Sequence, residues 1–340
     1  MNRCTRTPSR LLLPAFLLLL LAACSGRVEP LHLSGPTMGT QYHITWLPGE
    51  NTAQAEAVFI GVDAVLEEIN ASMSSYRPDS EISRFNAAPV DDWFPVSADF
   101  LEVFTLARQV SVASDGAYDV TVAPLVNLWG FGPLPGGGVP TEEAIAQLLP
   151  GVGQQWVDID AENSSLRKRR PLQLDFSSIA KGYGVDKVAQ WLERQAIVDY
   201  LVEIGGEVRV AGLSPRGTPW RIAMEKPEAL QRQVTATLAI SGVSVATSGD
   251  YRNYFELEGQ RYSHSIDPRT GYPVRHELVS VTVVHKSTAL ADAWATALTI
   301  LGPEAALATA RREQLAVYLI SRRSQGFVVE KTPAIVQWLE

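Results

Sequence analysis

The stretch Leu201-Val-Glu-Ile-Gly-Gly-Glu-Val-Arg-Val210 holds two β-rich runs, Leu201 to Ile204 and Val208 to Val210, with only a brief turn between them. Strands joined so closely pair antiparallel, because a parallel pair needs a crossover of about a dozen residues or more. The same reading applies to Val234 to Ile240, Leu278 to Val284, and Leu315 to Ile320 with Phe327 to Val329. Helical spacing stands beside them: Val58, Val62, Val65, Leu66 and Ile69 share one face, as do Phe100, Val103, Phe104 and Ala107 behind a Ser97 cap. Pro140 and Thr141 with Glu142 and Glu143 read as a helix start, with acids where the dipole favours them, and Val185, Val188, Ala189 and Leu192 mark another helix. The expectation is an α+β fold, a single body of mixed, largely antiparallel sheets flanked by helices.

Composition narrows the function. The 340 residues are 46% hydrophobic and 19% charged, with 25 Gly, which excludes disorder, collagen and a coiled coil. A net charge of −8, with Arg167 to Arg170 as the one short basic run, argues against nucleic acid as a partner. The two cysteines, Cys4 and Cys24, both precede the folded part, so neither a disulfide scaffold nor a thiolate metal site is available to it. Its chemistry must use oxygen and nitrogen groups.

Arg3, Arg6 and Arg10 precede the apolar run Leu11 to Ala23, which is shorter than the ~20 residues a membrane-spanning helix needs. This is an export signal, and Leu21-Ala-Ala-Cys24 has the form of a bacterial lipobox, cut before the cysteine and lipidated on it. The expected organisation is a signal peptide over 1–23, a lipidated Cys24 with a tether over 24–36, and one domain over 37–340. A multiply acylated cysteine anchors a protein to a membrane surface without spanning it. The protein is therefore expected to sit on a membrane surface facing the periplasm, and because Ser25 and not Asp follows Cys24, outer-membrane sorting stays open beside the inner membrane.

No G-x-G-x-x-G, G-x-x-x-x-G-K-[ST], H-E-x-x-H or G-x-S-x-G occurs, which removes the commonest nucleotide and hydrolase readings. Ser178-Ile-Ala-Lys181, Tyr251-Arg-Asn253 and Arg269-Thr-Gly271 imitate the motifs of serine β-lactamases, but the first form recurs at Ser165 to Lys168, and Asp267 to Gly271 has turn chemistry where a strand is needed.

Two stretches carry chemistry of their own. In Leu174 to Asp186, an extended run with Asp175 turns at Ser177 and Ser178 into a helix, where backbone N–H groups and Lys181 suit an anion; the plainer alternative is that Ser177 only caps the helix. In Ala289 to Leu298, Asp292 and Thr296 stand one helical turn apart among small side chains, a hard-oxygen pair suited to Mg²⁺; the alternative is a solvated Asp and a Thr bonded back to its own helix. His264, of five histidines the one inside a dense motif, is a candidate base; a His bonded to its own turn, or Asp292 as the base, are the alternatives.

In order along the chain, Thr37 to Thr40, Ser75-Tyr76 with Ser80 to Asn86, Gly116 to Asp119, Asp175 to Gly182, Glu203 to Gly206, Ser248 to Tyr251, His264 to Gly271 and Ala291 to Thr296 together resemble the FAD:protein FMN transferases, the ApbE-type flavin transferases. The resemblance implies a Mg²⁺-dependent enzyme that splits FAD at its pyrophosphate, releases AMP and attaches FMN through a phosphoester to a Thr or Ser of an acceptor protein, such as a membrane redox-complex subunit. It also implies an FAD site of Met38, Tyr76, Ala117, Tyr118, Asp119, Asp175, Lys181 and Ile266. The metal would take the Ser178 carbonyl, Asp292, the Ala295 carbonyl and Thr296. Two rival functions are a Mg²⁺-dependent FAD pyrophosphatase and a flavin-binding lipoprotein without chemistry.

Overall fold

The computed structural model describes residues 28–49, 52–133, 138–225, 234–249, 254–257 and 259–340. The signal segment, Cys24 and the Asp250-Tyr251 pair lie outside the described residues. In chain order the elements are β1 (Leu31–Thr37), β2 (Thr40–Trp46), α1 (Ala55–Met73), α2 (Glu81–Ala87), β3 (Trp93–Pro95) and α3 (Ala98–Ala113). There follow α4 (Ala123–Leu128), α5 (Glu142–Leu148), β4 (Val157–Asp160), β5 (Ser165–Lys168), α6 (Ala180–Arg194), β6 (Tyr200–Ile204) and β7 (Glu207–Ala211). Next are β8 (Trp220–Glu225), β9 (Val234–Ile240), β10 (Val243–Gly249), β11 (Tyr254–Leu257), β12 (Gln260–Ser263) and β13 (Leu278–His285). The chain closes with α7 (Thr288–Leu301), α8 (Pro303–Arg312), β14 (Ala316–Arg323) and β15 (Gly326–Lys331).

One eight-stranded sheet, in the order β1-β2-β6-β7-β10-β13-β14-β15, is antiparallel along every ladder. The hairpin at its centre pairs Ile204 with Glu207 across Gly205 and Gly206, whose φ values of +58° and +107° only glycine takes up without strain. The smaller sheets β3-β5-β4, β8-β9 and β11-β12 are antiparallel too, so the fold is α+β as expected. The expected mixing of strand directions reduces, among the described residues, to a single parallel bridge between Val122 and Gln173.

Strand alternation decides which element covers which face. In β14, Val317 and Leu319 join the core under α3, α7 and α8, whereas Ala316, Tyr318 and Ile320 join the core under β8, β9 and Ile335. With both faces covered, β13 is buried from Leu278 to Val284, with Ser280 and Thr282 interrupting its apolar residues. A third core packs α1 and α6 on β2 and β6 through Val58, Val62, Leu66, Val185, Val188 and Leu192, each fully buried aliphatic contributing roughly 1.5–3 kcal/mol. The caps fall where the sequence put them: Ser97 accepts Phe100 N–H at 3.2 Å and Thr141 accepts Ala144 N–H at 3.2 Å.

The expected tether over 24–36 is too long. Leu31 to Pro36 belong to β1, which pairs with β2 from Leu31 opposite Trp46 to Thr37 opposite Thr40. Pro36 fits because β1 is the edge of the sheet, where a missing N–H leaves no ladder bond unmade.

Candidate functional site

A cavity of about 900 Å³ opens where α6 meets α7, walled by Tyr118–Asp119, by Asp175 to Ser178, by the loop after β12, and by the ends of β7, β8 and β10. Its floor depends on how closely the two helices approach. Gly182 in α6 lies so near α7 that a Cβ placed on it would stand 2.4 Å from the Thr288 carbonyl oxygen. Asp186, one turn further along α6, holds the start of α7: it accepts from Thr288 N–H at 2.9 Å, Thr288 Oγ1 at 2.7 Å, Ala289 N–H at 3.1 Å and Ser287 Oγ at 2.8 Å, and pairs with Arg209 at 3.0 Å. A buried carboxylate here satisfies N–H groups that the first turn of α7 leaves without partners.

That crossing brings Lys181 and Asp292 together. Asp292 is only 5% exposed, and its Oδ2 accepts Gly182 N–H at 3.1 Å and faces Lys181 Nζ at 3.4 Å. Lys181 also meets Glu207 Oε1 at 3.1 Å. Burial lowers the lysine's proton affinity, but Asp292 and Glu207 outweigh it and hold the pKa above its ordinary value, so the ammonium stays charged. Burial raises the pKa of Glu207, with Lys181 opposing and Asp292 assisting.

Three readings change here. Ser177 does not cap α6: its hydroxyl and N–H both go to Asp175 Oδ1, and the N-cap is Ile179, with no side-chain cap. Of the backbone N–H groups at that helix start expected to suit an anion, that of Gly182 is already bonded to Asp292. Nor is Asp292 solvated, since α7 is buried on nearly every side. In a regular helix Gly182 N–H would go to the Ser178 carbonyl; among the described hydrogen bonds none ends on that carbonyl, and none on Asp292 Oδ1.

Tyr118 lies in the wall, its hydroxyl accepting from Ser178 Oγ at 3.0 Å, and burial raises its pKa. Asp119 accepts Thr121 N–H at 2.8 Å, Thr121 Oγ1 at 2.6 Å and Gln154 N–H at 3.0 Å; burial raises its pKa and these bonds oppose the rise. His264 and Ile266 line the opposite wall. Their loop is fixed against α4 and α5: Trp129 Nε1 donates to the Gly271 carbonyl at 2.8 Å, and Trp129, Ile145, Tyr262 and Ile266 share one apolar cluster.

Of the residues singled out in the sequence, Tyr118, Asp119, Asp175, Ser178, Lys181, His264, Ile266, Asp292 and Thr296 therefore line the cavity. Four do not. Met38 packs between the two helix-side cores, and Ala117 is fully buried behind Tyr118. Tyr76 is 71% exposed beyond α1, and its neighbour Ser75 lines a separate cavity of about 210 Å³ that shares Asp175. The Ala295 carbonyl accepts the Thr299 hydroxyl at 2.8 Å inside α7, and Ala295 is not among the lining residues. Sequence reasoning missed Glu207. It lies one residue past the Glu203 to Gly206 motif, and its signal was a charged residue at an inward position of a strand.

Among the described residues no three His, Cys, Asp or Glu side chains cluster as metal ligands. Asp292, Thr296 and Ser178 line the cavity, and with Asp292 Oδ1 and the Ser178 carbonyl taken by no described hydrogen bond they could offer a hard, oxygen-only donor set with one formal charge. Mg²⁺ suits such a set when substrate phosphates complete its shell.

Residues 38–319 match the model of the ApbE family. The FAD:protein FMN transferase of Vibrio cholerae is 47% identical over 312 residues, covering 91% of this chain and 93% of that protein. The FAD:protein FMN transferase of Haemophilus influenzae is 44% identical over 327 residues, covering 94% of both. Among solved structures, the flavin transferase ApbE of Vibrio cholerae superposes with a TM-score of 0.85 at 44% identity over 91% of this chain and 99% of that one. The apo flavinyl transferase ApbE of Pseudomonas stutzeri gives 0.84 at 42% identity over 91% and 96%.

Proposed function

The chain belongs to the ApbE family, and from that premise we infer that it is an FAD:protein FMN transferase, the activity for which its relatives are named. It is an enzyme, a transferase with FAD as substrate and a protein as acceptor. The observation that carries this reading to the site is the meeting of Lys181, Asp292 and Thr296 at the floor of the cavity. Among the described lining residues Lys181 is the single Lys or Arg, against the five acids Asp119, Asp175, Glu207, Glu225 and Asp292. A pyrophosphate would be repelled there without it.

The donor set supports Mg²⁺ held by Asp292, Thr296 and the Ser178 carbonyl. Bound there, the cation would neutralise phosphate charge as it develops. The chain's own groups do the rest. Gly182 N–H fixes Asp292 through Oδ2, and Lys181, facing both Asp292 and Glu207, offers a remaining N–H to the phosphates. His264, in the wall, takes the proton of the acceptor Thr or Ser hydroxyl as its oxygen attacks the FMN phosphorus. The bridging P–O bond breaks and its electron pair leaves on AMP.

The lipobox ending at Cys24 supports a lipid anchor and a site facing the periplasm, within reach of membrane-bound acceptors such as redox-complex subunits. AMP formation tests the reading of the site: protein with FAD, Mg²⁺ and acceptor releases AMP, and Lys181→Met does not. Wild-type AMP release by Lys181→Met would remove the lysine from the reaction.

A further inference from the structure

Glu207 has no part in the reaction as derived, yet the fold spends stability to keep it. Its side chain is buried, and its Oε2 has no hydrogen-bond partner among the described residues, a loss that a glutamine or an apolar residue would lessen. The hairpin pins it there: Gly206 N–H donates to Glu203 Oε1 at 2.6 Å, Gly205 N–H to the Gln41 carbonyl at 3.1 Å, and Glu203 Oε2 meets His43 at 2.7 Å.

Lys181 stands between two carboxylates, nearer Glu207 at 3.1 Å than Asp292 at 3.4 Å. An ammonium facing one carboxylate alone closes to about 2.8 Å. Without Glu207 nothing described holds Lys181 back from Asp292, and an ammonium closed onto that carboxylate cancels the one formal charge of the cation site. We propose that Glu207 is a positioning residue: it keeps Lys181 drawn away from Asp292, so that Asp292 stays available to a divalent cation and the lysine stays extended toward the phosphates. This rests on the reading of Asp292 as a cation ligand.

Calorimetric titration of the full-length protein with Mg²⁺ alone, without FAD, tests it as a double-mutant cycle. Glu207→Gln should weaken Mg²⁺ binding about tenfold when Lys181 is present and leave it unchanged in the Lys181→Met background, a coupling of ordinary size for groups in contact. If Glu207 acted only through its charge, the loss would be equal in both backgrounds; that result, or unaltered binding by Glu207→Gln, overturns the proposal. Glu207→Asp keeps the charge with a shorter reach and serves if the glutamine variant does not fold: a lysine-dependent loss is again expected, and wild-type binding overturns the proposal. Asp292→Asn separates the premise, since wild-type Mg²⁺ binding by that variant would remove the cation site itself.

Discussion

Replacing Gly182 by alanine tests the crossing that assembles the site. The new Cβ would stand 2.4 Å from the Thr288 carbonyl oxygen, 2.7 Å from the Thr288 carbonyl carbon and 2.9 Å from Ala289 Cα. All three are backbone atoms at the start of α7, which Asp186 holds, so no side chain can rotate out of the way. Restoring ordinary contact requires the helices to part by about 1 Å. The Gly182–Asp292 bond at 3.1 Å and the Lys181–Asp292 pair at 3.4 Å would then both exceed hydrogen-bonding range. Overpacking of this kind costs about 1–3 kcal/mol, or about 2 °C of melting temperature per kcal/mol in a chain this long. A displacement of ~1 Å at a reacting centre costs on the order of 100-fold in rate. Gly184→Ala is the control, because its Cβ would meet side-chain ends of Met38 at 3.0 Å and Ile204 at 3.3 Å, which can yield. Thermal melting and the rate of AMP release from FAD are the assays. A Gly182→Ala protein that melts and turns over like wild type would refute the argument that this close approach holds the site together.

Asp292→Ala should abolish FAD cleavage with the secondary structure intact, and excess chelator should do the same to wild type; activity surviving either treatment contradicts the cation reading. Wild-type protein should partition with membranes and Cys24→Ser should not, checked by fractionation; soluble, unlipidated wild type would end the anchor reading. Burial lowers the pKa of His285, opposed chiefly by the Ser287 carbonyl at its Nδ1, so its neutral form is favoured in the fold. The stability this contributes is present above the unfolded value of about 6.5 and is lost as pH falls through the lower folded value. Melting temperature should therefore drop as pH falls from about 6.5 through the lower folded value, and less steeply in His285→Gln; equal slopes over that window would exclude His285 as a cause.

Much of the fold was legible because its signals are local. The Val58 to Ile69 face, the Ser97 cap and the hairpins at 201–210 and 315–329 need only neighbouring residues to be recognised. β1 was not, because Gly35 and Pro36 are read as linker and only the edge position, a property of the whole sheet, makes them acceptable in a strand. The site divides the same way. Asp292 and Thr296 are one turn apart on one helix and announce themselves by spacing. Glu207 reaches Lys181 only through the pairing of β6 with β7 and the placement of α6, and nothing in its own surroundings in the chain shows that an oxygen will be left without a partner. Met38, Tyr76 and Ala117 came from family resemblance and not from local chemistry, and they lie outside the wall of the larger cavity.

The central claim is that a protein hydroxyl, and not water, is the preferred attacker at phosphorus. A bound acceptor presents that hydroxyl already oriented, an advantage water lacks. Soluble residues 25–340, incubated with FAD and Mg²⁺ with and without acceptor, are followed by AMP, free FMN and acceptor mass together. The account predicts that AMP release accelerates with acceptor, that the acceptor becomes heavier by one FMN, and that Thr→Ala at the acceptor's modified site abolishes the gain. AMP and free FMN appearing at the same rate with or without acceptor, with the acceptor mass unchanged, would make the protein an FAD hydrolase and contradict the account.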